Sequence, residues 1–182
     1  MLEEILSQKS DGSYFPEDRV HNLIFPMGKD SSQILFEDHN LWLLDERLVF
    51  HSYLASDKPL STTKSVDLSS KKEPDIIIFD KACVFKTDRK DTGSDGITII
   101  EFKKPMRKNY SDDDPFIQIQ NYIDILRSGK ANTTNGRPIS GIKNIPINCY
   151  LVCDPTDQIK KKARSYQLIP TIDEMGFYGW WK

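Results

Sequence analysis

The sequence predicts an α/β layered domain, a mixed β-sheet core flanked by helices. Three observations carry this. Short β-branched runs stand at 74–80, 97–103 and 148–154. Between and around them lie segments whose apolar residues recur at helical spacing. The resulting order of helix, strand, strand, helix, strand, helix and strand interleaves the two element types, as layered α/β packing requires. A chain of 182 residues suits one compact domain with a real core.

The elements follow in order. Residues 1–35 are mixed, with Pro16 and Pro26 bracketing a short apolar stretch of Val20, Leu23, Ile24 and Phe25. Glu37 to Leu54 is rich in Leu and aromatics and free of Gly and Pro, which predicts a helix. Ser56 to Glu73 is dominated by Ser, Lys, Thr and Asp and reads as a mobile loop. We therefore expect 1–73 to form a helical segment and loop belonging to the same domain as 74–182, the core. Within that core, Pro74-Asp75 opens a buried strand to Asp80, and 86–96 is a polar turn. Ile97 to Lys103 is a second strand, stopped by Pro105. Asp114-Pro115 opens a helix with proline in its first turn, and Gly129 ends it. Residues 128–146 are a polar loop, Asn148 to Asp154 a third strand, and Asp157 to Gln167 a Lys-rich helix. Gly176 to Trp181 begins a fourth strand and stops without cap or tail, which reads as a fragment truncated at its C-terminal strand.

Composition narrows the function classes. With 25 basic and 27 acidic residues the formal charge is −2, and the isoelectric point is near 5.9. A globally basic nucleic-acid coat is excluded, so such binding would need a local patch. A mean hydropathy of −0.51 and the absence of any apolar run near the roughly 20 residues of a membrane span point to a soluble chain. The N-terminus, Met1-Leu2-Glu3-Glu4, is acidic where a signal peptide is basic, so a cytoplasmic location is expected. Cys83, Cys149 and Cys153 lack zinc-ligand spacing and read as buried free thiols.

The constellation that carries chemistry is Pro74-Asp75, then Glu101-Phe102-Lys103, then Gln118-x3-Tyr122. The acid-x-Lys pattern alone is worthless, since it recurs at Asp88-Arg89-Lys90 in a polar stretch. Context discriminates. Glu101 and Lys103 end an apolar strand, and residues i and i+2 on a strand face the same side. Asp75 starts the preceding strand, and a short connection would make the two strands neighbours. Two carboxylates and a lysine then converge. Hard oxygen ligands of this kind suit magnesium, with the Phe102 carbonyl as a third oxygen. Lys103 would orient or deprotonate the attacking water and offset charge on the phosphate. A metal there would favour ionised carboxylates and a lowered lysine pKa. Gln118 and Tyr122 lie one helical turn apart and share a face. Packed over the strands, Gln118 could bond the lysine or a metal water, and Tyr122 a phosphate; otherwise they are a surface amide and a core residue. Lys104, Arg107 and Lys108, with Lys103, could guide a phosphate backbone. Lys160, Lys161, Lys162 and Arg164 read as a solvated helix face.

This pattern resembles the PD-(D/E)XK nuclease superfamily, specifically its RecB-like branch, over roughly residues 74–155. The resemblance implies a restriction-endonuclease-like fold and a magnesium- or manganese-dependent phosphodiesterase acting on nucleic acid, DNA before RNA. It implies Asp75, Glu101 and Lys103 as the core, with Gln118 and Tyr122 as accessory pair. The superfamily often adds an acid from a helix before the first strand; Asp45 and Glu46 are candidates, and the longer reach of Glu46 favours it. The branch's Gly-x3-His element is matched by neither His39 nor His51, and its four-cysteine cluster is not matched by three cysteines.

A looser resemblance covers His39 to Leu48, Glu101 to Arg107 and Met175 to Gly179. These are similar to the C-terminal region of large bacterial proteins with an N-terminal Hsp90/gyrase-type ATP-binding domain. It implies an effector domain of a larger ATPase, with genome defence as one role, although no P-loop is present here. The competing reading is a non-catalytic nucleic-acid or protein interaction module on the same fold, because fold does not fix function. A metal-independent hydrolase is weaker, since no G-x-S-x-G elbow occurs.

Overall fold

The computed structural model describes residues 2–51, 53–60, 72–80, 96–128 and 145–180. In order they form α1 (Leu2–Leu6), α2 (Glu17–Ile24) and three short 3-10 turns (Phe36–Asp38, Leu41–Leu43, Glu46–Val49). Then follow β1 (Tyr53–Ser56), β2 (Ile76–Asp80), β3 (Gly96–Phe102), α3 (Pro115–Arg127), β4 (Ile147–Val152) and α4 (Asp157–Ser165), and finally β5 (Ile169–Pro170) and β6 (Phe177–Tyr178). Strands β1 to β4 form one mixed sheet in sequence order: β1–β2 and β2–β3 are antiparallel, and β3–β4 is parallel. The chain is thus mixed α/β, a four-stranded mixed sheet flanked by helices.

Strand β3 is buried along its whole length. It lies between two strands and between two helical layers, which is why it reads as an almost unbroken apolar run rather than an alternating one. Its side chains nevertheless alternate between faces. Ile97 and Ile99, with Ile77 and Phe79 of β2, pack against Ile119, Tyr122, Ile123 and Leu126 of α3. Ile100 and Phe102, with Ile76 and Ile78, pack against Val20 and Ile24 of α2 and against Phe25, Leu41 and Leu48. A third cluster of Tyr110, Phe116, Ile159 and Ala163 seats α4.

Helix α3 starts where expected. Asp114 Oδ1 accepts from the Phe116 and Ile117 N–H groups at 3.0 and 3.5 Å, and Pro115 occupies the first turn. The other oxygen of Asp114 pairs with Lys162, tying α4 to the start of α3. Lys162 is therefore engaged, while Lys161 and Arg164 lie exposed as expected.

The outer edge of β1 is covered by residues 29–31. Ser31 N–H donates to the Leu54 carbonyl at 3.0 Å, Ser56 N–H donates to that of Lys29 at 2.9 Å, and Asp30 bridges Ala55. Asp30, bonded to Ser32 and ion-paired with Lys58 at 2.7 Å, holds this strap in place.

Four expectations need correction. The stretch 37–54 is not a helix but 3-10 turns leading into β1. Asn40 donates from its backbone and side chain to the carbonyls of Ile24 and Leu23, both at 2.8 Å, pulling the chain onto the end of α2. Asp45 is extended and caps the next turn by accepting from Arg47 N–H at 2.9 Å. Tertiary bonds here override a favourable helical composition. Secondly, α2 lies within the stretch 1–35, which composition left unassigned. Thirdly, residues 177–178 do not extend the main sheet: β6 pairs with β5 in a separate ribbon, turned by Thr171, whose N–H donates to the Gly176 carbonyl at 2.9 Å. Fourthly, Cys149 is exposed and Cys153 half-buried, because β4 buries neither face fully. Cys83, Gly129 and most of the Ser56–Glu73, 86–96 and 128–146 stretches lie outside the described residues.

Ile99 is fully buried at the centre of the α3 face. We predict that Ile99→Ala lowers unfolding free energy by about 2–5 kcal/mol, read from urea unfolding at unchanged m-value. A loss below 1 kcal/mol would place the centre of the core elsewhere.

Candidate active site

Asp75 immediately precedes β2, Glu101 is the penultimate residue of β3, and Lys103 follows its end. Because β2 and β3 are antiparallel neighbours with Ile76 opposite Ile100, the start of one strand lies beside the end of the other. The structure therefore brings all three residues to one end of the sheet. By strand alternation Glu101 and Lys103 project to the α3 face. Asp75 Oδ2 accepts the Phe102 N–H at 2.6 Å, which fixes the carboxylate against the β3 backbone. Lys103 continues the β3–β4 pairing through its N–H to the Val152 carbonyl at 2.9 Å. Its Nζ donates to Glu101 Oε1 at 2.9 Å, and both side chains are 3% exposed. A second acid, Asp113, stands 3.7 Å from the same Nζ. The other Glu101 oxygen, Oε2, is buried without a hydrogen-bond partner among the described residues.

The electrostatics follow from this crowding. Burial, and then the Glu101 carboxylate, push Asp75 up to about 7, against the opposing Phe102 N–H bond. Burial likewise raises Glu101, despite Lys103 beside it. For Lys103 burial works against the ammonium, but Glu101, with Glu17 and Asp113, outweighs it and the net direction is upward. The lysine is held charged, and the two carboxylates compete for too little positive charge.

The remaining expected residues divide. Gln118 is half-buried on α3, and its Oε1 is buried without a partner; Lys103 pairs with Glu101 and Asp113 instead of with it. Tyr122 is a core residue. Its hydroxyl donates to the Glu73 carbonyl at 2.9 Å and its pKa is raised by burial, so it anchors the approach to β2 rather than standing free for a phosphate. The Phe102 peptide links Glu101 and Lys103, and its N–H is taken by Asp75.

Glu46 is not brought to this group. It is exposed on a turn whose Leu48 packs into the α2-side cluster. Its neighbour Asp45 accepts from Tyr150 Oη at 2.9 Å and is held far below the usual carboxylate range by Arg47. Tyr150 is registered with Ile100, on the face opposite Glu101. Lys104 and Lys108 have exposed side chains, as a phosphate guide requires. Arg107 is committed: it donates to Asp113 Oδ2 at 2.8 Å and to the Asn109 carbonyl at 2.9 Å, and lies over the Tyr110 ring.

Three residues near the site escaped sequence reasoning. Glu17, at the start of α2, accepts the Lys104 N–H at 3.1 Å, and its charge acts on Asp75, Glu101 and Lys103. It stands on α2, the helix that forms ahead of the first strand, whereas Glu46 lies on a 3-10 turn. One turn later His21 is buried, 2.7 Å from Ser56 Oγ and stacked on Phe102. Burial lowers its pKa to about 4, so it is neutral at physiological pH. The i, i+4 spacing of Glu17 and His21 behind Pro16 was the available signal. Asp113, beside the Asp114 cap, carried none.

The donors fit a hard divalent cation. Glu101 Oε2 is an orphaned buried acceptor, and Asp75 is destabilised as an anion by Glu101, so a cation between them would relieve both. Among the described residues no group of three or more His, Cys, Asp or Glu side chains is disposed to hold a metal. Two carboxylates, with water and backbone oxygen, are what magnesium commonly takes. No family model, curated protein or solved structure matches the chain.

The raised Asp75 sets a pH dependence. A carboxyl that binds its proton more tightly folded than unfolded contributes stability below about pH 4, and that contribution is lost as pH rises through about 7. Glu101 acts in the same direction. In EDTA, Asp75→Asn should therefore raise Tm at pH 8 and flatten its decline between pH 5 and pH 8. An unchanged Tm-against-pH curve would show that folding does not raise Asp75.

Proposed function

We propose that this chain is a magnesium- or manganese-dependent nuclease that hydrolyses nucleic-acid phosphodiester bonds. The observation that carries the reading is the buried meeting of Asp75, Glu101 and Lys103 at one end of adjacent strands, with one carboxylate oxygen left unpartnered. Strongly perturbed acids beside a buried lysine are costly to fold and are found where chemistry needs them.

Asp75 and Glu101, with the Phe102 carbonyl, would hold the cation, which supplies charge neutralisation and a more acidic water. The Phe102 N–H keeps the Asp75 carboxylate oriented toward it. Lys103, held charged by Glu101, donates to the phosphoryl oxygens on which negative charge grows and orients the attacking water. Gln118 Oε1, a buried acceptor without a partner, can take a proton of that water in a hydrogen bond. Tyr122 keeps the start of β2 in register through Glu73. Lys104 and Lys108 offer exposed cations for the flanking backbone, giving salt-sensitive binding.

A second reading, a non-catalytic nucleic-acid or protein interaction module, is favoured by one observation: Glu101 Oε1 is already committed to Lys103. Placement as the effector domain of a larger ATPase rests only on the likeness of 39–48, 101–107 and 175–179.

Labelled single- and double-stranded DNA and RNA, incubated with Mg2+, Mn2+ or EDTA, test the proposal. The wild type should cut in metal and not in EDTA. Lys103→Ala should keep the fold and the magnesium-induced rise in Tm while losing about 100-fold or more in rate. Glu101→Ala should lose both. A folded protein that cuts nothing and shows no metal-induced shift would overturn the nuclease reading of this chain.

A further inference from the structure

The nuclease reading leaves Asp113 unused, although it touches the two cations closest to the proposed chemistry. Its Oδ2 accepts from the Arg107 guanidinium at 2.8 Å and lies 3.7 Å from Lys103 Nζ. A single anionic oxygen thus sits between a lysine whose side chain is 3% exposed and an arginine whose side chain is 28% exposed. Arg107 is further set by its donation to the Asn109 carbonyl and by the Tyr110 ring beneath it, so its position is defined apart from Asp113. Asp113 is itself a third exposed. It lies just ahead of Asp114, whose side chain already takes the first free N–H groups of α3, so Asp113 has no capping duty to explain it. An oxygen with partial negative charge, reachable from solvent and flanked by a lysine and a fork-shaped guanidinium, is where a phosphodiester oxygen would bind.

We propose that Lys103 and Arg107 form a phosphate subsite and that Asp113 is its built-in competitor, a carboxylate that the nucleic-acid backbone must displace. This rests on the nuclease reading for the class of ligand. In the closed state Asp113 neutralises Arg107 and lowers the attraction of the site for polyanions. On binding, Arg107 exchanges the carboxylate for a phosphate oxygen without travelling, because Asn109 and Tyr110 already hold it. Asp113 also acts as a like charge on Glu101, so its withdrawal from the site relieves that acid as well. The consequence is selectivity for ligands with several phosphates: a single anion offers Arg107 no more than Asp113 already does.

Asp113→Asn tests this, since the amide keeps the shape and removes the charge. Binding of a fluorescein-labelled 20-mer, single- and double-stranded, is measured in EDTA so that nothing is cut, from 50 to 200 mM salt. Asp113→Asn should tighten binding about fivefold at the low-salt end, and steepen the slope of log K against log salt by about 0.9 on duplex, because no displaced carboxylate is left to offset the phosphate charge that Arg107 neutralises. Asp113→Ser should do the same, which guards against an idiosyncratic fold of either variant. In Asp113→Asn/Arg107→Ala the gain should vanish, an outcome that a merely structural ion pair does not predict. Wild-type binding that Asp113→Asn leaves unchanged in affinity and slope would overturn the competitor role and leave the nuclease reading intact. If no variant binds either oligonucleotide at any salt, the nucleic-acid reading itself falls, and this inference with it.

Discussion

Everything at the site hangs from β3. Seven consecutive residues of this strand are buried, with neighbours on both sides and a helical layer on each face. A strand so enclosed has one register available, because a slip by a single residue would drive Glu101 into the α2-side cluster and Ile100 out of it. The apolar positions Ile97, Ile99 and Ile100 therefore do more than fill space. They determine, at a distance, that a carboxylate and an ammonium emerge together on the α3 side, and the hydrogen bond from Phe102 N–H to Asp75 extends that determination to the neighbouring strand.

The polar end of this sheet is built against the grain of folding energetics. Removing two carboxylates from water is expensive, and the ion pair to Lys103 returns only part of the cost. The imbalance is visible in the raised Asp75 and Glu101 and in the oxygen that finds no partner. Two apolar layers around β3, the capped start of α3 and the Lys162–Asp114 pair supply the stability against which that strain is held.

Legibility from the sequence tracked how local the determining forces were. The β-branched runs of β2, β3 and β4, and the Asp-Pro start of α3, announce themselves because burial and capping act on neighbouring residues. Asp75, Glu101 and Lys103 were found by their places on those strands. The stretch before β1 misled because its structure is decided by long-range bonds, Asn40 to the end of α2 and Asp45 to Tyr150, which no periodicity encodes. Misplacing the helix there also hid Glu17, the acid on α2 whose charge acts on Asp75, Glu101 and Lys103. Arg107 was legible as a cation, but not as one already spoken for, since Asp113 meets it only once the turn before α3 has folded back.

The strap of residues 29–31 along β1 has a bearing on how this molecule behaves in company. A bare edge strand is a template onto which any extended chain can add itself, and natural sheets guard against it. Here the guard is a short segment borrowed from between the first helices and β1, fastened by Asp30 to Lys58 and Ser32. The fastening is ionic and partly open to water, so it answers to acid: Asp30, held down near 2 by Lys58 and Ser32, must be protonated before the pair is lost. Above that range the ion pair holds, and the β1 edge of the sheet stays covered.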